Sequence, residues 1–441
     1  MITGSLAVIR RHPVAAIVTL SGFTMLLGLW QRRPCHAAGW PGDYSILMGS
    51  MCYSDIPLLY RARVFHTGDF PFAVNPDQYE TLEYPVLSGL FADLAARIAR
   101  WLHGTPPDVD NEAVSVTFYE VNAAMLIACA LVAVWATARV AARPSQAVMV
   151  AAAPSLALTS LINWDLFAVM LTALAVWAWA RSAPVLAGVF IGLGFAAKLY
   201  PVLLLGPLLV LCLRANRMRE YARTLGAAVV SWTVVNLPVA LISPQGWAWF
   251  WKFNAERGGE FGSLWYLFVL AGRPIEDLNR ITLPLFALAC LGIAIAGMRA
   301  PRRPRLAQLG FLVLAAFLVI NKVYSPQYVL WLLPFLVLAR PNWRDWAIWQ
   351  VAEVTYWAMV WMHIGGYLGE YGWLYDAATL LRIAATCYVA VLVLRDMWQP
   401  DRDRGRRDGE DPAGGVLVGA ADAPPGWLAW LAPRPAQPAA V

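Results

Sequence analysis

VLAGVFIGLGFAAKLYPVLLLGPLLVLCL, residues 185–213, is an apolar stretch with Arg181 before it, Arg214 directly after it, and Lys198, Tyr200 and Pro201 in its middle. Arginines collect in cytoplasmic loops, so arginines at both ends place both ends on one face of a membrane. The stretch therefore predicts two short half-spans that meet at a lysine toward the other face. Proline forbids a continuous helix there, and irregular backbone at membrane depth is tolerated only where it lines a protein cavity. An all-α, polytopic membrane protein follows from this stretch, with a cavity at Lys198.

The rest of the 441 residues agrees. The chain is 59% hydrophobic and 14% charged, with a mean hydropathy of +0.54, far above a soluble domain. The formal net charge of +6 comes from arginines clustered beside apolar runs, which is the pattern of cytoplasmic loops rather than of a nucleic-acid surface. Residues 14–30 follow Arg10 and Arg11 and read as a retained signal anchor rather than a cleaved signal peptide. Their exit leaves a long outer segment, residues 31–113. Within it, residues 84–102 are apolar but interrupted by Asp93, Arg97 and Arg100 at helical spacing, which predicts a helix lying in the interface. A crossing helix there would put Arg139 and Arg143 outside.

Counting onward by length and arginine placement, residues 114–138, 147–162, 166–180, 225–242, 281–297, 306–320, 329–339, 346–364 and 377–394 read as further spans. The total is about twelve transmembrane helices in a domain over residues 1–394, with both termini cytoplasmic and a plasma-membrane location. SLWYLFVLAG, in the outer loop 243–280, reads as re-entrant or flat. After Arg395 the sequence QPDRDRGRRDGEDPAGG and its Pro/Ala-rich continuation predict a disordered cytoplasmic tail, 395–441, touching the membrane through Trp427 and Trp430. No repeat of fixed period and no inverted pair of halves is visible, which argues against a transporter.

Cys35 and Cys52 are the two cysteines of the outer segment, where an oxidising exterior allows a disulfide. Cys129, Cys212, Cys290 and Cys387 fall in apolar spans and read as packing residues. The five histidines show no metal-ligand spacing, and no metal or cofactor is expected.

Chemically useful residues collect on the outer face. Asp55, in MCYSDIPLLYRARVFHTGDFPF, lies among Met51, Cys52, Ile56, Leu58 and Leu59 and reads as part of an amphipathic interfacial helix. A partly desolvated carboxylate has its pKa raised toward that of a general base. Asp43, Asp69 and Glu83 are its local competitors, and Tyr60 and Arg61 are neighbouring candidates for substrate contact. Lys198 suits a phosphate as a compact point charge, against the bland reading of a snorkelling lysine. Lys322 in NKVYSPQY and Arg257 in NAERGGEFGSLW add cations for a donor phosphate, with Glu256, Tyr324 and Tyr200 beside them. Asp165 in NWD is either a helix cap or a cavity carboxylate. Glu353 and Arg382 read as a pair buried within the last two spans, and Trp247, Trp249 and Trp251 as an interfacial belt with sugar stacking as the rival reading.

One carboxylate base and several cations beside a lipid-accessible cavity suit transfer of a sugar from a polyprenyl-phosphate donor to a glycolipid or polysaccharide acceptor. The phosphate is a good leaving group, so no general acid is needed, whereas cations must stabilise its charge. A flippase of lipid-linked sugars is the rival function; the long amphipathic outer segment favours an enzyme.

The runs EYPVLSG, NWD, GLGFAAKLYPVLLLGPLL, NAERGGEFGSLW and SPQYVLWLLP together resemble glycosyltransferase family 87 of the GT-C superfamily, which includes polyprenol-phosphate-mannose-dependent mannosyltransferases. The resemblance runs from the first span to the last and excludes the tail. It implies an inverting integral-membrane hexosyltransferase whose site faces away from the cytoplasm, with a first-outer-loop aspartate as base, here Asp55, and phosphate binding at Lys198. No second acid neighbours Asp55, unlike the metal-linked DD or DxD pairs of other GT-C enzymes.

Overall fold

A computed structural model describes residues 13–40, 44–104, 112–423 and 426–431. Among these residues the chain is helical, with no strand beyond one isolated bridge between Arg407 and Glu410. Five helices among the described residues are long and apolar enough to cross a membrane: Pro13–Gln31, Glu112–Val140, Met218–Ile242, Asn279–Arg299 and the last, which ends at Trp398. Shorter apolar helices include Asp165–Ala180, Pro184–Ala197, Leu306–Ile320 and Val329–Ala339. Met218–Ile242 and Asn279–Arg299 expose most of their surface, including Val230, Val234, Leu283 and Leu288, as helices in contact with lipid do.

The break at Lys198 has the expected form. Pro184–Ala197 ends with Lys198 in extended conformation (φ −157°, ψ 151°), a 3-10 turn spans Tyr200–Leu204, and Leu205–Arg214 follows. The helix before the break is fixed against Met218–Ile242 by Gly188 and Gly192, where any Cβ would overlap the carbonyl oxygens of Thr224 and Ala228. Such close backbone contact through small residues is the common means of packing helices in lipid. The span expected over residues 147–162 is not one helix. It divides into Val148–Ala151 and Pro154–Thr159, because Pro154 holds Ala153 extended and lacks the N–H that would continue the helix.

The segment between the first two long helices contains the expected amphipathic helices. Asp55–Ala62 buries Ile56, Pro57 and Tyr60. Val86–His103 buries Val86, Gly89, Ala92, Ala96 and Ala99 while exposing Leu94, Trp101 and Leu102. Its first turn is tied to the break by the Ser88 hydroxyl, which donates to the Ala197 carbonyl at 2.7 Å. Cys35 and Cys52 are disulfide-bonded.

The two ends of the helices differ in chemistry. Asp165–Ala180 runs from Asp165 to Arg181, Leu306–Ile320 from Arg305 to Asn321, and Val329–Ala339 from Tyr328 to Arg340. One end of the bundle therefore gathers arginines, and the other gathers the break and the segment that carries Asp55. At the arginine end the composition led to an expectation of disorder after Arg395. Residues 399–423 instead pack back on the bundle: Asp403 is buried and accepts from Arg305 at 2.8 and 2.7 Å, and Asp422 accepts from Arg214 at 2.6 Å. Arg407 donates to the carbonyls of Ala141 and Ala142. Composition cannot bury an apolar core there, but buried arginines on the bundle supply partners for the tail's aspartates.

Candidate active site

At the other end lies a cavity of about 480 Å³ lined by Asp55, Arg63, Glu83, Lys198, Arg257 and Glu260 among its charged residues, with Tyr53, Tyr84, Tyr328 and Trp361 among its aromatic ones. Each charged group is held by a local device. Ser54 caps the Asp55–Ala62 helix, accepting from the Ile56 N–H, and donates to the Leu161 carbonyl at 2.8 Å; the Asp55 N–H donates to the Ile162 carbonyl at 2.8 Å. Asp55 is thereby fixed beside Asn163–Trp164–Asp165. Trp164 is itself anchored, its indole N–H donating to Asn122 at 2.7 Å.

The Tyr53 hydroxyl donates to the Asp55 carboxylate at 2.7 Å. Burial pushes the Asp55 carboxyl up to about 6; the Tyr53 hydrogen bond and the charge of Lys198 pull it down, while Glu83 and Asp165 add to the rise. Among the described residues no cation lies within ion-pair distance of Asp55. The other carboxylates of the site do have such partners: Glu83 is held by Arg63 at 2.8 and 2.9 Å, Glu260 by Arg257 at 2.8 Å, and Asp165 by Lys198 at 2.8 Å. Lys198 also lies over the rings of Tyr84, Tyr328 and Trp331 at 5.2, 5.6 and 6.0 Å, an aromatic surround favourable to an ammonium.

Asp55, Lys198 and Arg257 are thus brought together, with Asp165 directly behind Lys198. Asp165 is neither of its two sequence readings: Trp164 holds the cap position of the helix Asp165–Ala180 with no side-chain cap hydrogen bond, Asp165 stands outside the cavity lining, and it is instead the buried partner of Lys198. Other candidates lie elsewhere. The Lys322 ammonium donates to the carbonyls of Asn254 and Ala255, capping the helix Pro244–Glu256; burial and the nearby Arg257 push its pKa down. Tyr60 is buried against Phe118, and Arg61 turns to the Gly39 carbonyl. Tyr200 is buried beneath the site, bonded to Thr172 and stacked on Trp331. Glu256 is exposed, outside the cavity lining.

Tyr324 is buried with Glu353 and Arg382, which form the expected pair at 2.7 Å. Arg382 also donates to the carbonyls of Tyr324 and Ser325, so this pair shapes the loop that carries Gln327 and Tyr328 into the cavity. Of the competitors of Asp55, Asp69 is exposed and outside the lining, Glu83 is engaged by Arg63, and Asp43 lies outside the described residues. Trp247 and Trp251 line a narrow crevice that shares Tyr84, Pro85 and Phe250 with the cavity.

The cavity lining holds Arg63 and Glu260 where the sequence suggests Arg61 and Glu256. In each case the helix ends one residue after the first of the two positions or at it, and the next residue of like charge lines the cavity. Tyr53 carried a signal that went unread, a hydroxyl two residues before the aspartate. Among the described residues no group of three or more His, Cys, Asp or Glu side chains is arranged to hold a metal ion.

No curated protein matches the chain. A stretch of just under half its length, holding Asp165, Lys198, Arg257 and Glu260 but starting after Asp55, Arg63 and Glu83, does match a family: residues 111–326 fit the model of glycosyltransferase family 87, which indicates a membrane glycosyltransferase.

Proposed function

We propose that the protein is an inverting hexosyltransferase that moves a sugar, mannose by its family resemblance, from a polyprenyl-phosphate donor to a hydroxyl of a glycolipid or envelope-glycan acceptor. The observation that carries this reading is a single carboxylate without a cation partner, Asp55, in one cavity with Lys198 and Arg257. The acceptor oxygen attacks the anomeric carbon from the face opposite the phosphate. The bond from that carbon to the phosphate oxygen breaks, its electron pair leaves with the polyprenyl phosphate, and the hydroxyl proton passes to Asp55. Lys198 and Arg257 balance the charge that grows on the leaving oxygen, as fixed charges do most effectively where water is excluded. Gln327, whose buried amide oxygen has no hydrogen-bond partner among the described residues, is an acceptor for a sugar hydroxyl.

The cavity faces the extracytoplasmic side in this reading. The Cys35–Cys52 bridge supports that orientation, because it ends three residues before Asp55 and disulfides persist in oxidising compartments. Gathering of arginines at the opposite end supports it independently.

The test is consumption of a polyprenyl-phosphate hexose by purified protein in detergent, with a hydroxylated glycolipid as acceptor. Release of polyprenyl phosphate and a new glycosidic bond in the acceptor are expected. Donor movement across vesicle bilayers with no consumption in detergent would replace the enzyme with a flippase.

A further inference from the structure

The tail that folds back on the arginine end builds a second concavity, of about 360 Å³, lined by Arg340, Asn342, Arg395, Asp396, Arg402 and Arg404 among others. Arg340 is already engaged by Asp345 and Asp396. Arg395, Arg402 and Arg404 are different. Among the described residues none of them has a carboxylate within ion-pair distance, although Asp401 lies in the same lining, and all three are exposed.

The loop carrying two of them is built rather than loose. Asp403, between Arg402 and Arg404, points inward and accepts from Arg305, from the Gln308 amide at 3.2 Å and from the Gly405 N–H at 3.0 Å. The Arg404 carbonyl accepts from Gln146. The inward aspartate fixes the loop with its two neighbouring arginines facing out.

The surroundings choose the ligand. Trp343 and Trp398 are exposed beside the concavity, and the helices Trp343–Ile364 and Trp373–Trp398 lead away from it with Ile348, Val351 and Val391 exposed. Tryptophan at the end of an exposed apolar helix face marks a membrane–water interface. We propose that Arg395, Arg402 and Arg404 form a headgroup site for an anionic phospholipid, its phosphate among the three guanidinium groups and its acyl chains along the apolar faces of these two helices. Arginine clusters at the cytoplasmic ends of spanning helices suit such headgroups, and planar guanidinium groups bind phosphate oxygens in pairs.

The experiment uses the full chain in detergent, titrated with phosphatidylglycerol, phosphatidylcholine or inorganic phosphate, with lipid retention read by native mass spectrometry and stability by thermal shift. Phosphatidylglycerol should be retained and should raise the melting temperature, and phosphatidylcholine should do neither. Arg395→Gln, Arg402→Gln and Arg404→Gln should each weaken retention by about fivefold, with the melting temperature of the lipid-free protein unchanged because these side chains are exposed. Equal retention of both lipids, or full retention of phosphatidylglycerol by the triple variant, overturns the proposal. A thermal shift with inorganic phosphate as large as with phosphatidylglycerol assigns the site to free phosphate and overturns the lipid.

Discussion

The Lys198 ammonium lies 2.8 Å from the Asp165 carboxylate, whose side chain is only 2% exposed. The cation suited to a donor phosphate therefore has a resident anion, and a single substitution confounds two effects. Lys198→Met leaves Asp165 buried without a partner, a change that costs about 3–5 kcal/mol in comparable pairs. The double variant Lys198→Met/Asp165→Asn removes both charges together. Its melting temperature should recover most of the loss seen for Lys198→Met, while donor binding by calorimetry should stay weak in both. Recovery of donor binding in the double variant would take phosphate recognition away from Lys198.

Asp55 gives a pH signature. In the proposed reaction turnover requires the ionised carboxylate, so kcat/KM should rise with pH and reach half its plateau at about 6. Tyr53→Phe removes the hydrogen bond that lowers this pKa and should move the limb to higher pH. Asp55→Asn should reduce turnover by about 100 to 10,000-fold and remove the limb, with donor binding retained. Stability carries the opposite sign. The folded-state pKa is about 6 against an ordinary 3.8, so the folded chain holds a proton that the unfolded chain has released, and this group's contribution to stability falls as pH rises through that window. In Asp55→Asn that component of the pH dependence of melting should vanish.

Orientation can be read with single cysteines in a background lacking Cys129, Cys212, Cys290 and Cys387. Asp77 and Glu256 are exposed on the cavity side, and Arg181 is exposed on the arginine side. Asp77→Cys and Glu256→Cys should react with an impermeant thiol reagent on intact cells, and Arg181→Cys only after permeabilisation. The reverse pattern would turn the cavity to the cytoplasm.

The break at Lys198 was legible because one proline and one charge in an otherwise apolar run leave few physical alternatives. The Glu353–Arg382 pair was legible for the same reason. Much less legible was which charge at a helix end faces inward. Arg61 and Arg63 differ by two residues, and the end of the Asp55–Ala62 helix between them sends one toward Gly39 and the other to Glu83. The folded tail was hidden because its partners, Arg214 and Arg305, are distant in sequence and read there as ordinary loop arginines. Lys322 illustrates a further limit: a cation near a site in sequence can be consumed by carbonyls at a helix terminus.

Glu260 and Arg257 make the last test. Arg257 donates to Glu260 at 2.8 Å, and both side chains retain access to the cavity, at 19% and 37% exposure. Arg257 therefore meets a phosphate only in competition with Glu260. The proposed donor, a phosphodiester, carries a single negative charge, whereas the phosphate monoester it would release carries about −1.5 to −2 near neutral pH. Removing the competing carboxylate by Glu260→Gln should strengthen binding of polyprenyl phosphate by about tenfold, the scale of a charge-assisted hydrogen bond, and strengthen donor binding less. Product inhibition should then deepen and steady-state turnover fall, while the first turnover stays near the parent rate. Weaker product binding in Glu260→Gln would show instead that Glu260 positions Arg257 for the phosphate, and Arg257→Gln would be expected to give the same loss.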